Sequence, residues 1–162
     1  MSRGLIRRAG PDDAETIFAF VVALATYERE PDAVATTAAI LREQLTAEPA
    51  PFECLLIEED GRAQGFALYF HNYSTWRGRP GLYLEDLFVL PEARGRGHGL
   101  ALLEELGRIA VDRGCGRMEW ACLEWNQPAK DFYAALGARP LHDWRVWRLD
   151  GDALARLGRR TT

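Results

Sequence analysis

Apolar residues recur along this chain with two periods, and the switches between them mark its elements. Leu5 to Ala9 reads as a short first strand. After Pro11-Asp12 a strongly apolar stretch predicts a helix to about Tyr27, with Asp12 and Glu15 at capping-box spacing. Thr36 and Thr37 are caps for a second helix carrying Ile40, Leu41 and Leu45, which should stop before Pro49 and Pro51. Phe52 to Glu58 and Gly65 to Tyr73 then read as two strands joined at Asp60-Gly61, a strong hairpin signal. Beyond a polar turn at Arg77 to Gly81, Leu82 to Val89 alternates as a strand until two acids, Glu85 and Asp86, interrupt it.

The second half switches to the helical period. Leu103, Leu106 and Ala110 recur within a helix predicted from Leu100 to Arg113, and Gly114 sits where a left-handed terminator belongs. Met118 to Leu123 is the next strand. Asn126 caps a helix that tolerates Pro128 in its first turn, carries Ala129, Phe132, Tyr133 and Leu136 on one face, and ends at Gly137. Trp144 to Leu149 reads as a final strand. The order β, α, α, three strands, α, β, α, β predicts an α+β fold with a mixed sheet.

Length and composition narrow the function classes. A chain of 162 residues suits one compact domain. The longest apolar run, Ile17 to Ala25, is too short to span a membrane, and no apolar export segment follows Arg3, Arg7 and Arg8. Cys54, Cys115 and Cys122 form no CxxC pair, so neither a disulfide framework nor a metal site is expected, and a cytoplasmic setting fits. The formal charge of −4 argues against nucleic acid as the partner and favours cations.

Arg94-Gly95-Arg96-Gly97-His98-Gly99 lies between a strand and a helix. Such a turn aims backbone N–H groups at one anion at a helix N-terminus, with arginines as further donors, which suits a pyrophosphate. A dinucleotide fingerprint would need glycine at Leu100, and a P-loop would need Gly-Lys-Ser/Thr; neither is present.

The turn resembles the Arg/Gln-x-x-Gly-x-Gly/Ala signature of the GCN5-related N-acetyltransferase (GNAT) superfamily, with Arg94, Gly97 and Gly99 at the defining positions. Upstream, Tyr83 to Val89 is similar to the superfamily's fourth strand. Downstream, Glu124 to Ala129 with Phe132-Tyr133 is similar to its fifth strand and following helix. Tyr27-Glu28 and Tyr73-Ser74-Thr75-Trp76-Arg77-Gly78 extend the resemblance to the diamine acetyltransferases, in the form of their thialysine-acetylating branch. The fold implied is a central mixed, largely antiparallel twisted sheet of about seven strands flanked by four helices, with strands four and five splayed.

The resemblance further implies acetyl-CoA as donor and a small cationic primary amine as acceptor. Backbone N–H groups of Gly95, Arg96, Gly97, His98, Gly99 and Leu100 would hold the pyrophosphate. Main-chain groups of Leu87 and Val89 would pair with pantetheine, Asn126 would contact the coenzyme, and the Val89 N–H would serve the oxyanion. Tyr133 matches the general acid and Glu85 the proton acceptor, acting directly or through water. Tyr27, Glu28, Trp76, Asp86 and Trp144 match the acceptor pocket, where acids and aromatics suit an ammonium. Ser74 stands where polyamine-acetylating relatives carry an acid, which moves the expected acceptor toward thialysine or another lysine-like amine. A homodimer is implied as well. Acetylation of protein lysines or N-termini, and a non-catalytic acyl-CoA sensor, are the alternatives.

Overall fold

The computed structural model describes residues 4–159, which divide into two compact units, one running to Leu123 and one from Glu124. In the first unit, β1 (Leu5–Arg8), β2 (Glu53–Glu59), β3 (Arg62–Ser74), β4 (Arg79–Val89) and β5 (Met118–Glu119) form one sheet in that order. The first three pairings are antiparallel, and β4 pairs with β5 in parallel. The hairpin turn between β2 and β3 has Asp60 at φ 51° and Gly61 at φ 72°, the two left-handed positions of a tight two-residue turn.

Helix α1 (Ala14–Tyr27) buries Ile17, Phe20 and Leu24 on the sheet, and α2 (Ala38–Thr46) adds Leu41. The Phe20 ring stacks on Phe66 at 5.5 Å and tilts toward Phe88 at 6.3 Å, in a core shared with Cys54, Leu56 and Leu68. Alternation sends Leu55, Ala67, Tyr69 and Leu84 to the opposite face, covered by α3 (His98–Asp112). Covering both faces explains why Cys54 to Ile57 is buried without a break.

Thr37 caps α2 as expected, its Oγ1 accepting from Ile40 N at 3.2 Å. The Asp12–Glu15 capping box does not form. Arg7 holds Asp13 through two 2.8 Å bonds, Asp13 also accepts from Gly10 N at 2.8 Å, and a single 3-10 turn, Pro11–Asp13, precedes α1. Local spacing lost here to a partner delivered by the neighbouring strand.

The fold class is the expected one, but the count differs: among the described residues there are five strands and five α-helices. The strand predicted over Met118–Leu123 is only Met118–Glu119, and Trp144–Leu149 is irregular. Strand propensity needs a ladder partner to become a strand, and neither stretch has a full one. The second unit holds α4 (Gln127–Ala135) and an unanticipated α5 (Gly151–Gly158). Asn126 caps α4, its Oδ1 accepting from Ala129 N at 3.4 Å, and Gly137 at φ 86° follows the helix end.

Candidate active site

The two acids that break the alternation of β4 mark a β-bulge. Leu68 faces Asp86 and Tyr69 faces Leu84, which leaves Glu85 as the extra residue with no partner across the ladder. A bulge re-aims side chains and is common beside active sites. Glu85 stands exposed, whereas half-buried Asp86, like Phe88 two residues on, lies on the α1 face.

Burial, and then the neighbouring charges of Glu85 and Glu28, push the Asp86 carboxyl up to about 6. Glu28, just beyond α1, is also raised by burial. No Arg, Lys or His among the described residues forms an ion pair with Glu28, Glu85 or Asp86. Three carboxylates left uncompensated suit an incoming cation.

Beyond Tyr83, no strand among the described residues pairs with the second edge of β4, because the parallel ladder consists of Leu82–Met118 and Tyr83–Glu119. The Leu90 N–H donates to the Gln64 carbonyl at 2.8 Å on the β3 side. Alternation therefore turns the main-chain groups of Leu87 and Val89 to the open edge. Gly65, opposite Val89, is needed there: a Cβ would lie 2.5 Å from the Phe88 carbonyl oxygen. A glycine inside a strand pattern is the sequence signal for such close approach.

The glycine turn heads α3. Gly95 and Gly97 lie at φ 76° and 82°, and the first helical bond runs from Ala101 N to Gly97 O at 2.9 Å. The N–H groups of His98, Gly99 and Leu100 thus precede any intrahelical acceptor and form an anion cradle at the positive end of the helix. The buried His98 side chain points inward, with Nε2 3.7 Å from Glu59 Oε2, so only its backbone serves the cradle.

The two arginines are differently placed from what the sequence predicts. Arg96 donates to Glu59 Oε2 at 2.7 Å and to the Glu92 carbonyl at 3.2 Å, fastening the turn to the end of β2. Arg94 donates through Nε to the Val89 carbonyl at 3.0 Å. Glu59 escapes sequence reasoning because its partners lie far along the chain.

Tyr27 and Glu28 lie at the end of α1, on the side of Asp86. Trp76, 88% exposed, lies in the turn before β4, whose first residue, Arg79, is roughly 20 Å along the strand from Glu85 at about 3.3 Å per residue. Ser74 is buried, its Oγ accepting from Arg77 N at 3.3 Å, so it braces that turn. In the second unit Asn126 caps α4, Tyr133 lies within α4, and Trp144 lies in the irregular segment before α5.

The head of α3 thus presents backbone N–H groups, the end of β4 an open edge, and the same strand the carboxylates of Glu85 and Asp86. Comparison with known proteins identifies the class as N-acetyltransferases: the chain belongs to the Acetyltransferase (GNAT) family, which it matches over residues 17–138. It is 38% identical to the thialysine N-epsilon-acetyltransferase of Sus scrofa, over 97% of this chain and 98% of that protein. Its fold is similar to an integron cassette protein from the mobile metagenome of V. cholerae, with a TM-score of 0.82 and 26% identity, covering 99% of this chain and all of that one. It also resembles an aminoglycoside N-acetyltransferase solved in complex with CoA, with a TM-score of 0.72 and 23% identity over 92% of this chain and 96% of that one.

Proposed function

We propose that this N-acetyltransferase moves the acetyl group of acetyl-CoA directly to the primary amine of a short lysine-like cation. Thialysine is the first candidate, and a diamine or polyamine the second. The observation that carries this reading is that Glu85 and Asp86, with Glu28 near Asp86, form no ion pair among the described residues and stand on the strand that leads into the α3 turn. The relative from Sus scrofa is named for thialysine, and the aminoglycoside enzyme was solved with CoA, which agrees with both halves.

Acetyl-CoA supplies an activated thioester. The backbone N–H groups of Gly95 through Leu100 hold its pyrophosphate, Leu87 and Val89 pair with its pantetheine arm, and Asn126 contacts it. An ammonium with a reference pKa near 10.4 must lose a proton before it attacks, and Glu85 accepts that proton directly or through water. The amine nitrogen then bonds to the carbonyl carbon while the Val89 N–H stabilises the oxyanion. As the C–S bond breaks, the Tyr133 hydroxyl protonates the departing thiolate and recovers its proton, through solvent, from the newly acylated nitrogen. Tyr27, Glu28, Asp86, Trp76 and Trp144 form the acceptor pocket, and a two-fold homodimer is the working assembly.

Full-length protein incubated with acetyl-CoA and a panel of thialysine, lysine, ornithine, diamines and polyamines tests this. Thiol release fastest with the lysine-like amines is expected. Coenzyme binding by calorimetry with no turnover on any acceptor would replace the enzyme by a sensor.

A further inference from the structure

Arg94 fills the first position of the glycine turn, where the sequence suggests a further donor to the pyrophosphate. Its side chain makes other contacts. Besides the 3.0 Å bond from Nε to the Val89 carbonyl, its Cζ lies 5.0 Å from the centre of the Tyr27 ring and 5.5 Å from that of Phe88. Both distances fall within the range of a cation over an aromatic face. Tyr27 is the last residue of α1 and precedes Glu28. Phe88 follows Asp86 by two positions on the same sheet face. One guanidinium therefore ties the aromatic wall beside the acids to the end of β4. A planar fork serves both contacts at once, donating along an edge while its faces meet rings, which an ammonium does not reproduce.

We infer that Arg94 is a positioning residue for the amine acceptor: its side chain fixes the Tyr27 ring and the Val89 end of β4 against each other. The phosphate work of the turn falls to backbone N–H groups. This rests on the acetyl-transfer reading, since it assigns Arg94 to the acceptor half of that site.

Arg94→Lys keeps the charge and loses both the stacking plane and the Nε bond. It is expected to raise the acceptor KM about tenfold, the size of a lost pair of ring contacts and one hydrogen bond, while the CoA Kd by calorimetry moves less than about twofold. Tyr27→Leu, which removes one of those ring contacts, should raise the acceptor KM by part of that factor, and Tyr27→Phe, which keeps the ring, should leave it near wild type. The double variant Arg94→Lys with Tyr27→Leu should be no worse than Arg94→Lys alone, because the contact with the Tyr27 ring is already lost there.

A tenfold weaker CoA Kd in Arg94→Lys with an unchanged acceptor KM makes Arg94 a phosphate ligand and overturns the inference. So does Tyr27→Phe as damaging as Tyr27→Leu, a result that stands even where the Arg94 variant fails to fold. Should no acceptor turn over in the unaltered enzyme, the transfer reading falls instead. The calorimetric arm then still decides whether the Arg94 side chain binds phosphate.

Discussion

Asp86 is where residue chemistry and function meet. Its carboxyl is raised from 3.8 to about 6, first by burial and then by Glu85 and Glu28. The folded protein therefore holds this proton to higher pH than the unfolded chain does. The stability it contributes is complete below pH 3.8 and is lost as pH rises through about 6. Asp86→Asn should not show that loss, leaving the variant more stable than wild type above pH 6 by roughly 1–3 kcal/mol in denaturant titrations. Activity should move the other way. An acceptor ammonium needs the ionised carboxylate, so kcat/KM for the amine should fall below about pH 6 in wild type. In Asp86→Asn that limb should disappear at a lower plateau; an unchanged profile would remove Asp86 from the acceptor site. The break in alternation at Glu85-Asp86 was legible in the sequence. Which acid faces solvent and which turns inward was not, because the bulge depends on the strand opposite. The side-chain partners of Arg94 and Arg96 were likewise invisible.

Among the elements, the end of β4 and the head of α3 bear on the donor half. Gly65→Ala would place its Cβ 2.5 Å from the Phe88 carbonyl oxygen and 3.1 Å from Val89 Cα, so backbone must shift. A displaced Val89 N–H should cut kcat by roughly 100-fold, the scale of an ångström-sized misplacement. Circular dichroism would check that the fold survives, and a kcat within twofold of wild type would count against Val89 as the oxyanion donor. Gly97→Ala is a different test. A Cβ there meets nothing within 4 Å, but φ 82° is left-handed, so the cost is about 1–2 kcal/mol of backbone strain in a thermal melt. Relaxation of that strain should spoil the cradle and weaken CoA binding by calorimetry. Signals carried by adjacent residues were legible: Asp60-Gly61 gave its hairpin, Thr37 its cap, and Gly114 at φ 68° its helix terminator. The strand expected at Trp144–Leu149 failed because its make-up records only how well it would pair, and pairing is settled by an edge elsewhere.

At the scale of the whole molecule, Trp76 lies in the turn before β4, and Arg79, where that strand begins, is roughly 20 Å along it from Glu85. The proposed acceptor pocket takes its acids from one copy and its tryptophan from a second. The proposed two-fold homodimer supplies this, since a two-fold axis gives each hairpin tip an equivalent place against its partner. Light scattering at micromolar protein should return twice the chain mass of 18.2 kDa. A stable monomer with full activity would remove Trp76 from the acceptor site. Trp76→Ala then separates the two uses of this exposed ring. A raised acceptor KM in an intact dimer makes it pocket wall, whereas dissociation with the acceptor KM following protein concentration makes it interface. Either result leaves CoA binding at the α3 cradle unchanged, because that cradle is built from one chain's own backbone.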